Sequence, residues 1–242
     1  MSSLETRKIE PQSGTTVTLG EAGDTVNVPS GGIVKTNAVK DAGGNTLFQS
    51  DGAGTLSSVN SNLGGAMVFI SKHDATGVSS VEITSGIDAT YDEYVFYFVN
   101  MELTYNGSQI VFSGSTDGGS SYGINKITGV FTNTMLENGS TSFAYESGQD
   151  THNTAAQPIS YQQGGNYGDD ESLCGEMHLY NPSSTTYVKQ FLLQTNFHLS
   201  TDGSEQWWTA GFFYTTSAVN AIKFNSVQGN IGRGTIYMYG IK

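Results

Sequence analysis

The chain has 242 residues, 22 of them acidic and 10 basic, for a formal net charge of −12; only 13% are charged, against roughly 25% in ordinary globular proteins. An acidic surface with no Lys/Arg cluster repels phosphate backbones, which argues against nucleic-acid binding. The single cysteine, Cys174, excludes an intrachain disulfide. MSSLETRKIE at the start lacks the apolar core of a signal peptide, and no run of ~18 apolar residues could span a membrane, so a protein made in the cytoplasm without membrane insertion is expected.

Residues 1–12 are polar and patternless and read as an extended arm. GTTVTLGEAGDTVNVPSGG (14–32) sets Val17, Leu19, Val26 and Val28 among Thr, Gly, Asp and Ser, which predicts two short strands turning at 21–24. GNTLFQSDGAGTL (44–56) echoes GTTVTLGEAGDTV (14–26), with Val17 over Leu47 and Val26 over Leu56. A β unit with so few apolar positions does not bury its face alone. Residues 13–66 are therefore expected to be a stalk or docking segment held by other copies of the chain. Val17, Leu19, Val26, Val28, Leu47 and Leu56 form the expected inter-chain stripe.

From Met67 the texture changes. AMVFIS (66–71), SVEIT (80–84), EYVFYFVNMELTY (93–105), SQIVFSG (108–114), STSFAYE (140–146), LCGEMHLY (173–180), TYVKQFLLQTNFHL (186–199), QWWTAGFFYTT (206–216), NAIKFNS (220–226) and GTIYMYGI (234–241) read as strands. With 31 Gly, 12 Phe and 13 Tyr and no sustained helical period, residues 67–242 are expected to form one antiparallel β-sandwich, jelly-roll-like, in an all-β protein. In 220–226, Ile222 and Phe224 are expected inward. In 173–180, Met177 and Leu179 are expected inward, with Glu176, His178 and Tyr180 outward. EYVFYFVN is apolar on both parities and is expected to be covered on both faces. The polar stretch 146–172 reads as an exposed loop at one end of the sandwich.

Three stretches together, TVTLGEAGDTVNVPSGG with IVKTNAV, DATYDEYVFYFVNM with FSGSTDGGSSY, and AIKFNSVQGNIGRGTIYMYGIK at the C-terminus, resemble virion structural proteins of tailed bacteriophages, chiefly marine and cyanobacterial ones. The resemblance implies a virion component, a homotrimer bound to other virion proteins of the capsid shell or tail, in the tail-fibre, head-fibre or decoration class. It leaves the position on the particle open.

Catalytic and metal chemistry are poorly supported. STDGGSSY (115–122) and STDGSEQW (200–207) invite a Ca²⁺ reading through Asp117 and Asp202, but Asp-Gly is a favoured turn dipeptide and the calcium-loop spacing is absent. His73, His152, His178 and His198 are scattered, and Cys174 has no cysteine partner for a zinc site. The acidic groups Asp92-Glu93 and Asp169-Asp170-Glu171 do not establish the paired carboxylates that a polysaccharide hydrolase needs. The expectation is a protein that is not an enzyme and has no cofactor. Trp207-Trp208 put one indole inward and one outward on a strand. The outward one, with Tyr161 and Tyr167, is a candidate contact for a partner subunit or a host-surface glycan.

Overall fold

The computed structural model describes residues 35–53, 56–59, 66–165 and 170–241, with Thr25, Ser30 and Ile33 besides. They belong to two compact units that divide between residues 63 and 64. Val17, Leu19, Val26, Val28 and Tyr167 lie outside the described residues.

In the first unit, β1 (Ala38–Lys40), β2 (Thr46–Ser50) and β3 (Leu56–Val59) form an antiparallel meander. Asp41 builds the first turn: its carboxylate accepts the Asn45 N–H at 2.8 Å, and Gly44 takes the positive φ of 84° that closes it. No residue of β1 or β2 is buried. Leu47 is half-buried, and Leu56 is 56% exposed.

The second unit is an all-β sandwich of two antiparallel sheets. The larger runs β4 (Met67–Asp74), β15 (Ile231–Ile241), β6 (Glu93–Leu103), β11 (Leu173–Tyr180), β12 (Lys189–Leu199), β13 (Gly203–Phe213), β8 (Lys126–Leu136) and β9 (Thr141–Tyr145). The smaller runs β10 (Gln157–Pro158), β7 (Ile110–Ser115), β14 (Ala221–Ser226) and β5 (Ser80–Ile83). Alternation makes the strands: in β12 every second residue from Lys189 to Leu199 is buried and the residues between face outward. Aromatic side chains join the sheets. Phe224 of β14 meets Phe98 of β6 edge-on at 5.1 Å, and Phe112 of β7 meets Phe191 of β12 at 5.1 Å. Ile222, Phe224, Met177 and Leu179 are buried, while Glu176, His178 and Tyr180 face outward, as their alternation predicts.

The expected cover on both faces of β6 holds in part: the inner face is buried along the strand, but on the outer face ahead of Asn100 only Val95 is, with Tyr97 half-buried and Val99 40% exposed. Tyr94, Phe96 and Phe98 are buried in the core, and Val95, on the opposite face between His178 and Tyr239 in register, is buried too. A bulge at Asn100, whose φ is +50°, then moves the buried parity to Met101 and Leu103.

Two features differ from the sequence expectation. The stretch 146–172 is not simply an exposed loop: Gln157, Pro158, Ile159, Ser160 and Gln163 are buried, and β10 pairs with β7. Hydrogen bonds make this burial of polar groups tolerable. Gln157 accepts from Thr128 Oγ1 at 2.7 Å, and Gln163 donates to the Met101 carbonyl at 2.8 Å. Strand β8 was not anticipated, because its polarity is inverted. Thr128, Thr132 and Thr134 share the inward parity with Lys126 and Val130, while Ile127, Phe131 and Met135 point to solvent. The inward threonines donate to Gln157, Glu146 and Glu205.

Lys126 and Lys189, both fully buried, flank Phe213 in cross-strand register. Lys126 Nζ donates to the Ile124 carbonyl at 3.3 Å and lies 5.9 Å from the Phe213 ring centre. Lys189 Nζ donates to the Tyr187 carbonyl at 2.6 Å. Burial lowers the pKa of both, that of Lys126 to about 8 from 10.5. Between those two pH values the unfolded chain holds a proton on Lys126 that the folded chain has released. The contribution of this lysine therefore favours folding increasingly as pH rises from 8 towards 10.5, and below pH 8 the cost of burying the charge is present in full. Replacing Lys126 with methionine is expected to raise stability at pH 7 and to narrow its lead over wild type by pH 9.5. Urea unfolding of both proteins at the two pH values checks this. A variant that is less stable at pH 7, with an unchanged gap at pH 9.5, contradicts it.

Candidate functional site

The outer face of the eight-stranded sheet is the side not covered by the smaller sheet, and it is unusually aromatic. At one end, Phe131 of β8 packs against Tyr145 and Phe143 of β9 at centroid distances of 5.2 and 6.3 Å, and Phe143 approaches Trp208 of β13 at 6.5 Å. At the other end, Phe69, Tyr239 and Tyr97 form an edge-to-face chain at 5.6 and 5.7 Å. Phe143 is 71% exposed and Phe69 55%.

Between these clusters lies a groove of about 380 Å³, within the size range of small-molecule sites. Cross-strand register fixes its geometry. One row runs His178, Leu192, Ala210, Gly129 across β11, β12, β13 and β8. The next row runs Glu176, Gln194, Trp208, Phe131 across the same four strands. Ala210 and Gly129 have little or no side chain, so the floor drops beside the Trp208 and Phe131 rings, and Leu192 supplies an apolar middle. Neighbouring strands lie about 4.7–4.9 Å apart, so the second row carries two polar groups followed by two aromatic rings in one line.

The polar end is organised around His178. Its Nδ1 makes a short contact with the Glu93 carboxylate, and its Nε2 lies 3.5 Å from Glu176 Oε1. The ring stacks on Tyr180 at 6.2 Å and 21°. Burial raises the Tyr180 phenol pKa, and Glu93 and Glu176 add to this; the phenol stays protonated as a hydrogen-bond donor. Gln194 is exposed, and its side-chain amide has no hydrogen-bond partner among the described residues. No Lys or Arg lines the groove.

The sequence candidates separate. Trp208 lines the groove. Trp207, the other of the two candidate indoles, is the inward one and is a core residue, not a contact: it is 1% exposed, faces Phe197 at 6.0 Å, and donates its indole N–H to Thr209 Oγ1 at 3.0 Å. Tyr161 is exposed but sits beside Gln163, which bridges to Ser108 and Leu199, and it is not among the groove residues. Asp202 occupies the β12–β13 hairpin with φ +60°. Asp117 stands in the connection from β7 to β8, where it accepts from Ser115 and Ser121 hydroxyls at 2.6 Å; these bonds hold its pKa down to about 2. Among the described residues no group of three His, Cys, Asp or Glu side chains could hold a metal ion.

The sequence did not single out Phe131, Gln194, Leu192 or Gly129 as a site. Outward parity at Glu176, His178 and Trp208 was the available signal, but only register places those strands side by side. No protein-family model, curated protein or solved structure matches the chain. Fold and site together describe an all-β sandwich with an open, aromatic sheet face.

Proposed function

We propose that the chain is a bacteriophage virion structural protein: a homotrimeric fibre or capsid-decoration subunit, anchored through its N-terminal arm, with the sandwich as its projecting head. The contrast between the two units carries this reading. The sandwich has a dense core of its own, whereas β1 and β2 bury no residue and Leu56 is left open. A three-stranded sheet in that condition gains stability from neighbours of its own kind. The low charge density supports the same reading, since copies packed side by side avoid strong mutual repulsion.

The work of such a protein is attachment rather than catalysis. A tail fibre whose head touches a host-surface glycan is the second reading, and the groove favours it.

Replacing Val17 and Val26 together with Asp tests the arm. The expected result is loss of trimers by light scattering, leaving a species near 25.8 kDa. Trimers that persist in the double variant reject the proposed stripe.

A further inference from the structure

We propose that the groove formed by β11, β12, β13 and β8 binds a neutral pyranose glycan. The inference rests on the reading of the sandwich as a binding head and names the ligand class of that head. A pyranose has one face of C–H groups and a rim of hydroxyls. Trp208 and Phe131 offer side-by-side rings above a floor lowered by Ala210 and Gly129, a surface suited to the C–H face. In the same row, Gln194 and Glu176 place a planar amide and a carboxylate where the hydroxyl rim would fall. A carboxylate accepts strong, charge-assisted hydrogen bonds from hydroxyls, and an amide both donates and accepts. Beside Glu176 on the same face of β11, His178 lies 3.5 Å from its carboxylate and also contacts Glu93, which gives the polar end of the groove a neighbouring imidazole.

Charge narrows the choice of ligand. No Lys or Arg lines the groove, while Glu176 lies in it and Glu93 lies beside it, so sialylated and uronic-acid glycans are disfavoured, as is nucleic acid. A peptide adding as a strand needs an open sheet edge, but β11, β12, β13 and β8 each have a partner on both sides. A second copy docking face to face, with a two-fold axis passing through the polar end of the groove, would bring the two Glu176 carboxylates together.

The test is binding of the full chain to immobilised tetramers of glucose, galactose, mannose and N-acetylglucosamine, with sialyllactose and a polygalacturonate tetramer as acidic probes. At least one neutral tetramer is expected to bind and quench the fluorescence of Trp208, with both acidic probes silent. Trp208→Ala is expected to weaken binding about tenfold or more, Gln194→Ala about threefold, and Trp208→Phe to retain most of it. Circular dichroism and light-scattering mass are recorded on the same samples. Failure of every neutral tetramer, preference for an acidic probe, or full binding by a folded Trp208→Ala variant overturns the proposal. A trimer that binds none of the tetramers rejects the groove and leaves the fibre reading intact. A monomer that binds through Trp208 rejects the fibre reading and upholds the groove.

Discussion

Replacing Phe112 with alanine is expected to lower the unfolding free energy of the sandwich by about 3–5 kcal/mol. Phe112 lies in the middle of β7 with no exposed surface. Its ring meets Phe191 and Phe213 of the large sheet edge-on at 5.1 and 6.1 Å, and Phe224 of its own sheet at 6.3 Å. Three aromatic neighbours anchored on three strands have little room to close over a void, so both the transfer loss and the cavity remain. Phe112→Leu keeps most of the volume and is expected to cost less than half as much. Urea unfolding of the two variants measures the difference. A loss below about 1 kcal/mol for Phe112→Ala would show that the sheets collapse freely here, contrary to close packing between them.

The second large effect is expected at Gly234. This residue has φ +129°, a region closed to most side chains, and it opposes the β6 bulge. A Cβ there would lie 2.7 Å from Met101 Cα and 2.8 Å from the Asn100 carbonyl oxygen, both backbone atoms that cannot swing away. Gly234→Ala therefore combines conformational strain with a clash, a loss of about 2–4 kcal/mol. Because the bulge sets which residues of β6 face inward, the substitution is also expected to disturb Met101 and Leu103. Thermal unfolding and the near-ultraviolet circular dichroism of the aromatic core report both effects. A variant with wild-type stability would mean that the β6–β15 ladder relaxes around the bulge.

Most of the sandwich was legible because its strands follow simple alternation. LCGEMHLY and NAIKFNS each declare a buried parity, and the structure keeps it; QWWTAGFF declares only that one indole faces inward, and the structure makes that Trp207. Legibility failed where polarity is inverted or parity shifts. Strand β8 places threonines inward and aromatics outward, so its pattern looks like a loop next to its neighbours. The stretch 157–163 is polar in sequence yet buried, because hydrogen bonds to Thr128 and Met101 replace water. The two-sided apolar character of β6 has two sources: Val95 is covered from the outer face, and the Asn100 bulge reverses the alternation. The groove was half legible. The outward positions of Glu176 and His178 follow from alternation, as does one outward indole of Trp207-Trp208, but their assembly with Gln194, Leu192 and Phe131 depends on strand order and register. These are non-local and leave no trace in a single strand.

In the proposed function the two units divide the labour, the arm assembling the protein and the sandwich presenting a binding face. The most direct test of this division is the light-scattering mass of the full chain beside that of residues 64–242, the compact unit with its own core. A full-chain mass near three times 25.8 kDa and a monomeric 64–242 fragment are expected. A monomeric full chain, or a fragment that forms trimers as well as the full chain does, would contradict it.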